Sequence, residues 1–197
     1  MKAIKLFSKA NPINTNVLPS GKTVTSQPSA SPTADGMTDK ASQIELTTLL
    51  SSNFPLSEFC NSNTAERLGI DNNNPSEEVV TNLTVLARGL LQPLRNRIKK
   101  PVIVLSGFRC LELNRSLGSG DNSQHVKGEA VDIYVPGYTA YELAAFILNS
   151  HIEFDQLILE NFRGPGTGWV HISRKQSGNR GEVLTYDGSG YKPGLVV

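Results

Sequence analysis

Two of the chain's three histidines fall in one pattern: S-Q-H-V-K-G-E-A-V-D from Ser123 to Asp132, then G-W-V-H-I-S ending at Ser173. His125, Asp132 and His171 offer two imidazoles and a carboxylate, a donor set that suits a zinc ion held by three protein ligands. Three ligands leave one position open, and an open position on zinc is the working part of a hydrolase. Gly128, between the first two ligands, permits a tight turn or a close backbone approach. Singly, each piece is ordinary. His125 also reads as a polar loop residue, and Asp132 as a strand-end hydrogen bonder.

The elements that must position these residues are legible in the periodicity. Asn74 can cap a helix with Pro75 at its first position and Glu77 in its first turn. Val79, Val80, Leu83, Leu86, Leu90 and Leu94 then recur at helical steps, with Pro93 expected to kink or end the helix. A short helix is expected at Thr64–Leu68, with loops on both sides. Val102–Leu105 reads as a buried strand stopped by Gly107, and Cys110–Leu117 as a turn of helix. In a strand over Glu129–Val135, alternation puts Val131, Ile133 and Val135 on the core face and Ala130, Asp132 and Tyr134 on the other. Thr139 and Glu142 form a capping box for a helix to Asn149. Further strands are expected at Phe154–Glu160, Trp169–Ser173 and Glu182–Tyr186. Helices first and short strands later give an α+β fold, with helices flanking a small antiparallel sheet that carries the metal site.

The chain's 197 residues suffice for one domain and an appendage. Residues 1–45 are rich in Ser, Thr and Pro and read as a disordered or extended tail, leaving 46–197 as the domain. A net charge of +1 gives no electrostatic case for nucleic acid or a membrane surface. Met1 to Asn14 lacks the apolar stretch of a secretory signal, so export by the general route is not expected. The two cysteines, Cys60 and Cys110, then read as free thiols rather than a disulfide.

The composite S-x-H-x-x-G-x-A-x-D followed by W-x-H resembles the zinc D-Ala-D-Ala carboxypeptidase family of metallopeptidases. That family shares its metal site with the hedgehog signalling domain. F-P-L-S-E-F, S-N-T-A-E-R-L-G-I-D-N, L-x-P-L-R, S-G-F-R, F-D-Q-L-I-L-E and N-R-G-E-V-L extend the likeness over most of residues 54–191, toward the branch common in phage genomes. The resemblance implies a zinc peptidase acting on peptidoglycan stem peptides, either a carboxypeptidase or an endopeptidase. His125, Asp132 and His171 would bind Zn2+, and Arg109 would face the metal to hold the scissile carbonyl oxygen. It further implies a phage-encoded protein, made in the host cytoplasm and acting on the cell wall or mounted in a virion. The tail would then dock on virion proteins.

One departure matters. Many relatives carry a carboxylate three residues before the last histidine, where this chain has Gly168. Another carboxylate must then act as base. Glu160, on the polar face of its strand, is the candidate, and Asp155 an alternative. Glu129 is expected to turn away from Asp132. Ser123 reads as a hydrogen-bonding neighbour of the ligands and His151 as structural. Trp169 reads equally as groove wall or core.

Overall fold

The computed structural model describes residues 45–196; the tail expected over residues 1–45 lies outside them except for Glu45. The described chain opens with a hairpin of β1 (Leu49–Ser51) and β2 (Phe54–Pro55). Helices α1 (Leu56–Cys60), α2 (Asn63–Leu68), α3 (Glu77–Leu86) and α4 (Gln92–Ile98) follow. Then come β3 (Ile103–Ser106), α5 (Leu111–Ser116), β4 (Ala130–Tyr134) and α6 (Ala140–Asn149). The chain ends on β5 (Gln156–Glu160), β6 (Trp169–Ser173), β7 (Glu182–Tyr186) and β8 (Tyr191–Pro193). The fold is α+β. Among the described residues, no helix is long and apolar enough to cross a membrane.

Three local expectations are corrected. The segment preceding α2 is not all loop, because Leu56–Cys60 is helical and buries Leu56 and Phe59. The cap of α3 is Ser76, whose hydroxyl accepts from Val79 N, not Asn74. Asn74 is engaged elsewhere, donating to the Asp71 carboxylate. Pro93 does not end its helix. Residues Ala87–Leu91 form a π segment in which Gln92 N donates to Ala87 O, five residues back. Pro93 then falls in the first turn of α4, where a residue without an N–H is tolerated. The longer register keeps Leu86, Ala87, Leu90, Leu91 and Leu94 fully buried. Each leucine so buried contributes about 1.5–3 kcal/mol.

The main sheet runs β3-β4-β6-β5-β7-β8. It is mixed, not wholly antiparallel, because β7 pairs parallel to β5. The chain leaves β6 through residues 174–181 and returns on the far side of β5. Asp155 anchors that crossover. Its fully buried carboxylate takes Lys175 Nζ at 2.9 Å, Arg180 Nη2 at 2.5 Å and the Arg180 backbone N–H at 3.1 Å. Burial alone would raise its pKa, but the bonds from Arg180, Lys175 and Gln124 hold it well below the usual carboxylate range.

A depressed folded pKa makes Asp155 stabilising at pH values above the ordinary aspartate range, about 4. That contribution is lost as pH falls from there toward the folded pKa. We expect Asp155→Asn to cost about 2–4 kcal/mol at pH 7, less than a wholly buried pair because Lys175 and Arg180 can rehydrate. Urea unfolding at pH 7 and pH 3 should show the gap narrowing at the lower pH.

One face of the sheet is the core. Val131, Ile133, Leu157, Val170 and Ile172 pack in a single cluster with the leucines of α3 and α4 and with Leu143 and Ile147 of α6. The opposite face carries the alternate residues of β4, β5 and β6, of which Asp132, Gln156, Ile158, Glu160, Trp169 and His171 line a cleft of about 1020 Å³.

Candidate metal centre

Register places the ligand candidates side by side. Asp132 of β4 pairs with Ser106 of β3 on one side and His171 of β6 on the other, and His171 pairs with Ile158 of β5. A single row therefore crosses four strands on the cleft face. His125 reaches the row from the preceding loop, where the Ser123 hydroxyl accepts from the His125 backbone N–H at 3.3 Å. The loop is held from behind. Gly128 adopts φ 71°, and a Cβ there would lie 2.7 Å from Val79 O. Asn82 of α3 donates to Lys127 O at 2.9 Å.

Three atoms converge. His125 Nε2 lies 3.2 Å from His171 Nδ1 and 3.4 Å from Asp132 Oδ1, and His171 Nδ1 lies 3.1 Å from the same oxygen. A tetrahedral ion with bonds of about 2.0–2.1 Å spaces its ligands about 3.3 Å apart, so the triangle fits zinc. The protonation pattern also fits. His125 Nδ1 lies 2.8 Å from Gly107 O, which can accept only if that nitrogen carries the proton, leaving the Nε2 lone pair for a metal. Burial lowers the His125 pKa and favours the neutral imidazole, against the pull of Asp132. Burial would raise Asp132, but the two imidazoles beside it outweigh that and keep the carboxylate ionised. All three residues are at most 9% exposed.

Arg109 meets Asp132 directly. Its Nη2 donates to Asp132 Oδ2 at 2.6 Å and its Nε to the Ser106 hydroxyl at 2.9 Å. This fixes the second carboxylate oxygen and aims Oδ1 at the imidazoles. Arg109 Nη1 makes no hydrogen bond to a described residue, and the side chain lines the cleft.

Glu160 and Trp169 are cross-strand partners two residues beyond Ile158 and His171, on the same cleft face. Burial raises the Glu160 pKa; His171 and Arg109 pull it down and Asp132 pushes it up. Gly168 is fixed by geometry. It adopts φ 78°, and a Cβ would collide with Glu160 O, so no side chain fits at this position.

Other candidates sort by contact. Asp155 is saturated by its cations. Glu129 does line the cleft, contrary to expectation, and accepts from Gln124 Nε2 at 3.3 Å. It precedes the first residue of β4, so strand alternation does not govern it. Trp169 is a groove wall. His151 is exposed, two residues past the end of α6, and does not line the cleft. Both thiols are free, and burial pushes Cys60 up to about 12.

Two positioning residues escaped the sequence reading. Ser106 holds Arg109. Asn72, only 2% exposed, donates to Cys60 O and Phe108 O and accepts from Cys110 N, fastening the S-G-F-R turn. Asn72 carries no local signal, because it acts on residues 12 to 38 positions along the chain, whereas Ser106 acts within the S-G-F-R turn itself.

A profile of the Peptidase M15 family matches residues 52–173, more than half of the chain. The chain belongs to the Peptidase M15 family. The matched span includes Arg109, His125, Asp132, Glu160 and His171, and stops before the crossover that Asp155 anchors. M15 proteins are zinc peptidases, and the His–Asp–His triangle gives this M15 chain a group able to hold the metal. No curated protein matches the chain.

Proposed function

We propose that this M15 protein is a zinc peptidase that cleaves peptidoglycan stem peptides, as a D-Ala-D-Ala carboxypeptidase or an endopeptidase, and so degrades bacterial cell wall. The observation that carries the reading is the His125–Asp132–His171 triangle on the cleft floor, with Arg109 and Glu160 on the same face. Zinc bound there supplies a Lewis acid for the peptide carbonyl and makes water a stronger nucleophile near neutral pH.

The chain's own groups supply the rest. Asp132 stays ionised, held by Arg109. Arg109 Nη1 donates to the carbonyl oxygen as negative charge develops on it. Glu160, with its pKa raised by burial, accepts a proton from the attacking water and returns it to the leaving amine. The C–N bond breaks, a C–O bond forms, and the products are a carboxylate and an amine. The test is zinc-dependent release of peptide fragments from purified peptidoglycan, lost on chelation.

The Ser-, Thr- and Pro-rich residues 1–45 support a second reading: a phage virion component that uses this segment to dock on other virion proteins. In its limiting form the domain binds wall and zinc but releases no fragments. The two readings are compatible when an active domain is mounted on a particle.

A further inference from the structure

Trp169 stands between two cavities. One side of the residue lines the cleft of the metal site. It also walls a second cavity of about 400 Å³, formed with Leu105, Tyr134, Tyr138 and Leu143 where β4 runs out toward α6. The two differ in character. Lys127, Glu129, Lys175 and Arg180 line the main cleft, whereas no charged residue lines the second cavity. Leu105 and Tyr134 remain 51% and 43% exposed at its mouth, apolar surface that no described residue covers.

Spacing links this cavity to the reaction. Trp169 is two residues from His171 along β6, a separation of about 6.8 Å on a strand. An extended peptide spans about 3.3–3.6 Å per residue. A peptide lying across the triangle therefore reaches the indole about two residues from the bond to be cut, and its next residues meet the uncharged cavity.

We infer that the cavity beyond Trp169 is a remote subsite that takes an uncharged, apolar segment of the substrate peptide, two or more residues from the cleaved bond. The inference rests on the peptidase reading above. Continuity identifies the occupant: one residue walls both spaces, so the chain that fills the first is led into the second. The subsite makes the site prefer longer peptides over a bare dipeptide.

Trp169 is the protein's only tryptophan, so its fluorescence reports occupancy without turnover. The experiment titrates the full chain with N-acetylated, C-amidated D-alanine oligomers from dimer to pentamer. The expected Kd falls about tenfold or more from dimer to tetramer. Leu105→Glu and Tyr134→Ala, both at exposed positions, should each collapse that ratio to within about twofold. Equal Kd values for dimer and tetramer, or a ratio kept in both variants, would overturn the subsite while leaving the peptidase reading standing. If no oligomer binds and purified peptidoglycan is also untouched, both fall together.

Discussion

Glu160→Gln should retain zinc and lose about 10²–10⁴-fold in kcat with KM little changed. Glu160 ends β5 on the cleft face, paired with Trp169, one alternation step from the row that holds His171. Its carboxylate shares the field of His171, Asp132 and Arg109, and burial raises its proton affinity. The amide keeps the shape but cannot take a proton. Zinc content by mass spectrometry and kcat from amine release separate loss of the base from loss of the metal. Adding Gly168→Asp to this variant should not restore turnover. Position 168 adopts φ 78° with Glu160 O against it, so any side chain there costs about 1–3 kcal/mol in backbone strain before contributing chemistry. Full activity in Glu160→Gln would remove the assignment and leave Glu129, which also lines the cleft, as the carboxylate to replace next.

The second large effect is on the metal. His171→Ala should weaken zinc binding by more than the about 10–100-fold that loss of a supporting partner costs, and abolish hydrolysis. His171 contributes one vertex of the triangle, 3.1 Å from Asp132 Oδ1 and 3.2 Å from His125 Nε2. Without it, two donors remain and the geometry for a bound ion is gone. A readout independent of activity is thermal stability. Zinc at a thousandfold excess over its Kd should stabilise the native chain by about 4 kcal/mol. In a protein of this size that is a rise in Tm of about 10 °C. Chelation should reverse the rise, and His171→Ala should show none. A native protein whose Tm ignores both zinc and chelator would count against the triangle as a metal site.

The features legible in the sequence share one property: their cause is local. Alternation puts Val131 and Ile133 in the core and Asp132 on the cleft face, and the same rule separates Leu157 and Leu159 from Ile158 and Glu160. The Thr139–Glu142 capping box is present as its spacing requires. What the sequence hides depends on partners far along the chain. The parallel pairing of β7 rests on the hold that Asp155 has over the crossover, and alternation says nothing about which edge a returning strand joins. The tautomer of His125 depends on Gly107 O, a backbone acceptor with no signature of its own. Gly168 looks like a missing base in the sequence; in the structure it is a position that no side chain can enter.

The most direct test is mass spectrometry of soluble products from purified peptidoglycan incubated with the zinc-loaded protein. The account predicts stem-peptide fragments, each with a new amine and a new carboxylate at a single type of bond, absent after chelation and absent with His171→Ala. Zinc-loaded, folded protein that releases no fragment from any wall type would contradict it.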